Sequence, residues 1–353
     1  MSIMTVIYFV LILSVIIIIH ELGHLIAAKH FGVYCKEFSI GMGPMIYQKQ
    51  VGETAWSVRA LPIGGYVAMA GETLEDDGED EEDIPFERTI NGIKPWKQII
   101  VMAAGAIMNI LLAWVIFVGI TAYQGQIAIP GSPVITSFSE NSPAEKAGFK
   151  VNDEIIKVQN GTHSEKVDEF DDVVEFIQYY PQDLTFTVLR DNKEVKLHMD
   201  AQYNEEDNIY QMGVQYPQGE IKKLTLLESI PYGTERMIDS VKSVIDALGK
   251  LIQGVGLQNL SGPVGIYNVT AEITQAGFIP VLALIALLSV NIGVMNLVPI
   301  PILDGGRIFI ILIETLIGRK LNEKVQTAVM MAGLILIVGL MVFATWNDVV
   351  RLL

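Results

Sequence analysis

The sequence predicts a polytopic α-helical membrane protein of about four transmembrane helices, with a small membrane-associated β region and one soluble α+β domain. Three observations carry this. Charged residues make up only 18% of the 353 residues, against about a quarter in soluble domains. The shortage is concentrated, because no Asp, Glu, Lys or Arg occurs in Met1–His20, Gln98–Ser139, Ile273–Leu303 or Val325–Asn347. Each window is long enough for the roughly 20 apolar residues with which a helix crosses about 30 Å of hydrocarbon. The net charge of −16 is also local: Glu72–Asp83 holds nine acids and no base, and Ile127–Tyr216 holds 17 acids against 7 bases. A soluble globular enzyme and a disordered chain are thereby excluded. Cys35 is the only cysteine, so no internal disulfide forms. The acidic patches repel phosphate, which argues against nucleic acid as a partner.

The first span runs from about Ser2 to His30. No basic residue precedes Lys29 and no small-residue cleavage site follows, so it reads as a retained span rather than a signal peptide. Glu37–Ile40, Met45–Gln50 and Thr54–Leu61 have strand character, with a turn at Gly52–Glu53. Leu61–Gly71 then leads into the acidic run, which reads as a solvated, flexible insertion. A second span over Trp96–Tyr123 completes a first region, residues 1–125. Residues 126–217 have the composition of a soluble domain. Here a strand pattern lies between Val134 and Ile156, interrupted by a short helix at Ser142–Gly148. Strand and turn follow at Asp153–Gly161, a helix at Val167–Tyr179, and strands at Thr185–Leu189 and Val195–His198. Residues 218–272 read as a linker in which Ile238, Val241, Ile245, Leu248 and Ile252 recur at helical spacing, suited to the membrane surface or to packing on the spans. Residues 273–353 hold a third span from near Phe278, broken at Pro299 and Pro301, a helical piece at Ile308–Ile317 and a last span over Val325–Trp346. No internal repeat is present.

The strongest chemical signal is His20-Glu21-Leu22-Gly23-His24. Residues four apart share a helix face, so both imidazoles reach one metal ion while Glu21 flanks it. In zinc-protease chemistry the histidines fix the ion and the Glu takes a proton from the attacking water. The alternative, two histidines closing a helix at the interface, sits poorly beside a 19-residue apolar run, because charge in a membrane is costly and usually functional. A third protein ligand is missing. His30 lies off the His24 face, and His163 and His198 fall in the soluble domain. The other charge embedded in apolar sequence is Asp304, beside the break that Pro299 and Pro301 impose. It either reaches the metal or caps a helix starting near Gly305.

With these residues the chain resembles the site-2 protease family of intramembrane zinc metalloproteases, most closely the bacterial members that carry a PDZ domain and regulate sigma factors. The resemblance rests on His20-Glu-Leu-Gly-His24 and Asn296-x-x-Pro-x-Pro-x-Leu-Asp-Gly305, about 280 residues apart. Phe38–Pro44, Gly64-Gly-Tyr-Val67 and Ser261-Gly-Pro-Val-Gly265 add to it. The chain departs from the family pattern at Met42, often Phe, and in Ala104-Gly-Ala-Ile-Met-Asn109, where a proline often follows the glycine. The resemblance implies Zn2+ held by His20, His24 and Asp304, with Glu21 as general base and acid. It implies further that Gly41, Met42 and Gly43 form an exposed strand edge that holds an unwound substrate by β-augmentation, and that Asn296 bonds the substrate backbone. Ordinary readings remain beside these: a glycine turn at 41–43, and interhelical packing for Asn296. The soluble domain resembles a PDZ domain through Ser142-Pro-Ala, Ala147-Gly148, Asn152–Ile156 and Asn160-Gly161, which implies a peptide ligand or, equally, a size filter.

The expected function is therefore zinc endopeptidase action within the membrane on single-pass membrane substrates such as anti-sigma factors or signal-peptide remnants. A transporter would show internal repeats, and a silent scaffold would not need Glu21. Lys29, Lys36, Arg319, Lys320 and Lys324 place Phe31–Pro95 and Gly318–Lys324 in the cytoplasm of a plasma-membrane protein by the positive-inside rule, with both termini and the PDZ domain outside. The active site then lies near the cytoplasmic face, and membrane lipid surrounds the spans.

Overall fold

Runs of apolar residues free of proline beyond the first turn become the long helices of the fold, because in lipid only a helix satisfies its own backbone hydrogen bonds. The computed structural model describes residues 3–72, 84–129, 132–161, 163–205, 207–216, 220–256 and 260–351. Most of the acidic run, expected as a flexible insertion, lies outside the described residues. The chain divides into two compact units, Gln124–Leu226 and the remainder.

The larger unit begins with helix α1 (Ile3–His30), followed by a long hairpin of strands β1 (Cys35–Val51) and β2 (Thr54–Met69), and helix α2 (Pro95–Gln124). The three expected strand runs are thus two strands that fold on themselves, turning at Gly52 and Glu53 as read. Glu37, Phe38, Ser39 and Ile40 lie opposite Ala55, Trp56, Ser57 and Val58 on one side, and opposite Ala68, Val67, Tyr66 and Gly65 on the other. The start of β1 is therefore an interior strand, and Phe38 in it is buried. Its polar anchor is Glu37, which accepts hydrogen bonds from Ser57, from Arg59 at 2.8 Å and from Tyr66 at 2.8 Å. Burial pushes the Glu37 carboxyl up, but these donors outweigh it and hold the group below its ordinary value.

The smaller unit holds β3 (Gln126–Ile129), β4 (Ser137–Phe138), α3 (Pro143–Lys146), β5 (Glu154–Asn160), β6 (His163–Lys166), α4 (Phe170–Tyr179), β7 (Leu184–Arg190), β8 (Lys193–Met199), β9 (Gln202–Asn204), β10 (Ile209–Gln211), β11 (Val214–Gln215) and β12 (Glu220–Lys223). An antiparallel sheet in the order β6-β5-β7-β8 packs Ile155, Val158, Phe186 and Val188 against Val173, Phe176 and Ile177 of α4. Ser142 caps α3 by accepting from the Glu145 N–H, and Pro143 takes the first helical position. α4 starts three residues later than the apolar pattern suggested, because Glu169 and Asp172 form a capping box there. Asp153 is buried and met by the Arg190 guanidinium in a two-pronged pair, 2.7 Å at each oxygen.

The chain returns to the larger unit with α5 (Ser229–Ile252), α6 (Pro263–Ala276), α7 (Phe278–Leu297), α8 (Asp304–Ile317) and α9 (Glu323–Arg351). α1, α2, α7 and most of α9 are long and apolar enough to cross a membrane. The stretch read as a linker holds two packed helices. The apolar stripe expected on α5 is really two. Val241 and Leu248, with Met237 and Val244, pack on Ala113 and Phe117 of α2 and Ala286 and Val290 of α7, whereas Ile238, Ile245 and Ile252 are exposed. Ser261–Gly265 opens α6, and Asp348 of α9 caps that opening: its Oδ2 accepts from the N–H groups of Gly262 and Gly265, each at 2.8 Å.

Candidate metal centre

α1 supplies the first two candidate ligand positions. His20 and His24 lie one turn apart on a single face, both rings are buried, and their Nε2 atoms stand 3.2 Å apart. The third position comes from the far end of the sequence. Pro299 and Pro301 stop α7 and keep a helix from re-forming before Leu303. Between them and α8, Ile302 has φ +90°, a conformation costly for a β-branched residue and tolerated where the surroundings enforce it. A Cβ on Gly305 would lie 2.3 Å from the Leu297 carbonyl oxygen, so only glycine lets α8 start this close to the end of α7. Asp304 is the first residue of α8, and no side-chain capping bond is made at that end. Its Oδ2 lies 3.2 Å from His20 Nε2 and 3.4 Å from His24 Nε2.

These three atoms form a nearly equilateral triangle. A tetrahedral zinc with ligand bonds of about 2.0–2.1 Å separates its ligand atoms by roughly 3.3–3.4 Å, so the triangle matches one face of such a site. Asp304 Oδ2 is moreover buried without a well-formed hydrogen bond among the described residues. A buried acceptor left alone costs about 1–3 kcal/mol, and a divalent cation between the three atoms removes that cost. The residues fit zinc and leave its fourth position open, as catalytic sites do.

The surroundings prepare the ligands. His24 Nδ1 is 2.8 Å from the Val101 carbonyl oxygen, so it carries the hydrogen and donates, leaving the Nε2 lone pair for the metal. α2 approaches so closely that a Cβ on Gly105 would stand 2.4 Å from His24 Nε2 and 2.8 Å from His20 Nε2. Asn109, one turn further along α2, is buried with its Nδ2 3.4 Å from His20 Nδ1.

The triad opens on a cavity of about 390 Å³ that Glu21 also lines, together with Met102, Glu72 and the Tyr66–Met69 stretch of β2. Gly65 lies against Glu21, since a Cβ there would be 3.6 Å from its Cγ. Glu72 ties this wall together: one carboxylate oxygen accepts from the Met69 N–H at 3.4 Å and the other pairs with Arg307 of α8 at 2.9 Å.

The structure thus brings together His20, Glu21, His24 and Asp304. Asn296 joins them, its Nδ2 3.4 Å from His20 Nε2. Gly41, Met42 and Gly43 are not in the cavity wall. They form a corner of the hairpin, with φ +87° at Gly41 and +82° at Gly43, and the Met42 side chain lies against Gly64. The strand beside the triad is Tyr66–Met69, and no second strand pairs its outer side among the described residues. Gly105, Glu72 and Met102 were not foreseen. Gly105 stood in the Ala104–Asn109 segment, whereas Glu72 was hidden as one acid among nine.

Four apolar spans carrying a His–His–carboxylate cluster with a glutamate beside it define a polytopic membrane metallopeptidase. The chain belongs to peptidase family M50, the site-2 protease family, whose model matches residues 8–340. The regulator of sigma-W protease RasP of Bacillus subtilis is 30% identical over 428 aligned residues, covering 100% of each chain. A zinc metalloprotease of Clostridium perfringens is 36% identical over 349 residues, covering 98% of this chain and 99% of the relative. The zinc metalloprotease RasP of Bacillus licheniformis is 31% identical over 99% of each. The protein is a zinc metallopeptidase.

Proposed function

We propose that this protein cleaves single-pass membrane proteins within the membrane, with His20, His24 and Asp304 holding zinc and Glu21 moving the protons. The observation that carries the reading is the triangle of ligand atoms on apolar helices, open to a cavity that Glu21 shares. Zinc, when bound, polarises the scissile carbonyl and acidifies water. Glu21 takes the proton of the attacking water and delivers it to the leaving amine nitrogen. A substrate helix hides its peptide bonds in its own hydrogen bonds, so it must unwind first. The side of Tyr66–Ala68 that no strand pairs among the described residues can hold the extended segment by strand addition, with Gly41–Met42–Gly43 shaping the adjacent corner and Asn296 bonding the substrate backbone. Purified enzyme in liposomes should cut a single-pass substrate inside its apolar segment, stop on chelation and resume when zinc is restored. Cleavage confined to soluble or juxtamembrane segments would refute the reading.

The regulator of sigma-W protease among the relatives supports anti-sigma factors as the substrate class. The domain at 126–217 is read as a PDZ domain that takes an extended peptide beside its sheet or screens substrates by size. Positive charge at Lys29, Lys36, Arg319, Lys320 and Lys324 supports a cytoplasmic face for residues 31–95 and 318–324 of a plasma-membrane protein, with the opposite face for the termini and the PDZ domain. Cysteines introduced at 319–324 should resist an impermeant reagent added outside intact cells; labelling there would reverse the topology.

A further inference from the structure

We infer that Asn109 is a positioning residue for the metal centre: its side-chain oxygen accepts a hydrogen bond from the Nδ1–H of His20 and so keeps the Nε2 lone pair of that ring turned to the metal. The inference rests on the metal-centre reading above.

Asn109 is completely buried on α2, and its Oδ1 has no partner among the described residues, while its Nδ2 lies 3.4 Å from His20 Nδ1. Held that way the amide would donate to Nδ1. A neutral imidazole carries one hydrogen, so Nε2 would then be protonated and unable to bind a metal. A half-turn of the amide exchanges two groups of nearly equal size and brings Oδ1 to Nδ1. Turning the amide sacrifices no bond of Oδ1, which has no partner where it stands among the described residues, so the ring decides between the two orientations. A ligand needs its lone pair on Nε2, and only the turned amide allows that.

The neighbouring ligand shows the same arrangement. His24 Nδ1 donates to the Val101 carbonyl oxygen, so both imidazoles would be backed by carbonyl-type acceptors from α2. Metal-bound histidines generally have such a partner on the second nitrogen, and its loss weakens metal binding. Asn109 is itself held. The Ser289 hydroxyl of α7 donates to its backbone oxygen at 2.7 Å, and α7 comes so close that a Cβ on Gly293 would stand 3.3 Å from the Asn109 Cβ. α2 runs unbroken through this segment, so Asn109 reaches His20 without the proline that often follows the glycine in the family pattern.

The test is zinc affinity of the full-length protein in detergent, measured against a competing chelator, with thermal melting to establish folding. Asn109→Leu, which offers no acceptor, should bind zinc 10- to 100-fold more weakly than the unsubstituted protein. Asn109→Asp, which keeps an oxygen in place, should bind no more weakly. If the leucine variant does not accumulate as folded protein, Asn109→Ala takes its place in the comparison. Unchanged affinity in the folded leucine or alanine variant would overturn the inference, as would an aspartate variant as weak as the leucine one, which would mark the amide nitrogen rather than the oxygen as the group required. His20→Ala separates this from the reading beneath it. Full-affinity zinc binding in His20→Ala would overturn the metal centre itself, whereas loss of zinc there with normal affinity in Asn109→Leu would overturn only the role of Asn109.

Discussion

Gly105→Ala is expected to abolish stoichiometric zinc and with it peptidase activity. The single added carbon would stand 2.4 Å from His24 Nε2, 2.7 Å from His20 Cε1 and 2.8 Å from His20 Nε2, distances at which carbon and nitrogen cannot coexist. Either the rings turn away or α2 withdraws, and both outcomes spoil a triangle whose sides agree with zinc geometry to within a few tenths of an ångström. Mis-setting a ligand should cost roughly 100-fold or more in metal affinity, at or beyond the upper end of what indirect partners cost. Gly119 on the same helix has nothing within 4 Å of its Cβ position. Gly119→Ala should therefore keep zinc and gain about 0.5–1 kcal/mol in helix stability. Zinc content per chain, turnover and melting temperature of the two variants check this. A folded Gly105→Ala protein with one zinc per chain would disprove the close approach.

Asp304→Ala and Glu21→Gln should divide metal binding from catalysis. Without Asp304 only two imidazoles remain, too few to retain zinc against a chelator, so metal and activity should vanish together. Glu21→Gln leaves the three ligands in place and removes the group that moves protons. It should hold zinc normally while turnover falls by about 10²–10⁴-fold. Metal analysis beside cleavage of one transmembrane substrate reads both. One zinc per chain in Asp304→Ala would restore the view that this aspartate merely begins a helix.

The spans and the first ligand pair were legible because both depend on near neighbours in sequence. An apolar run of about 20 residues specifies a membrane helix wherever it sits, and the i, i+4 spacing puts His20 and His24 on one face before any tertiary contact forms. Asp304 was legible for a different reason, as a charge stranded beside two prolines in apolar sequence. The hairpin was visible only in pieces. Alternation marks short strands, but it does not say that the start of β1 would be enclosed between two parts of β2.

The sequence by itself determined that this is a membrane metallopeptidase and named the residues proposed for its chemistry, since hydropathy and ligand spacing are local properties of the chain. Tertiary structure alone decided the rest. It put Tyr66–Met69 in the cavity wall, divided the α5 stripe between α2, α7 and open surface, and set Gly105 and Asn109 behind the imidazoles. These outcomes depend on which backbones come within a few ångströms of each other across tens to hundreds of residues. No periodicity encodes that, because a glycine that makes room for a metal and a glycine in open space are the same letter.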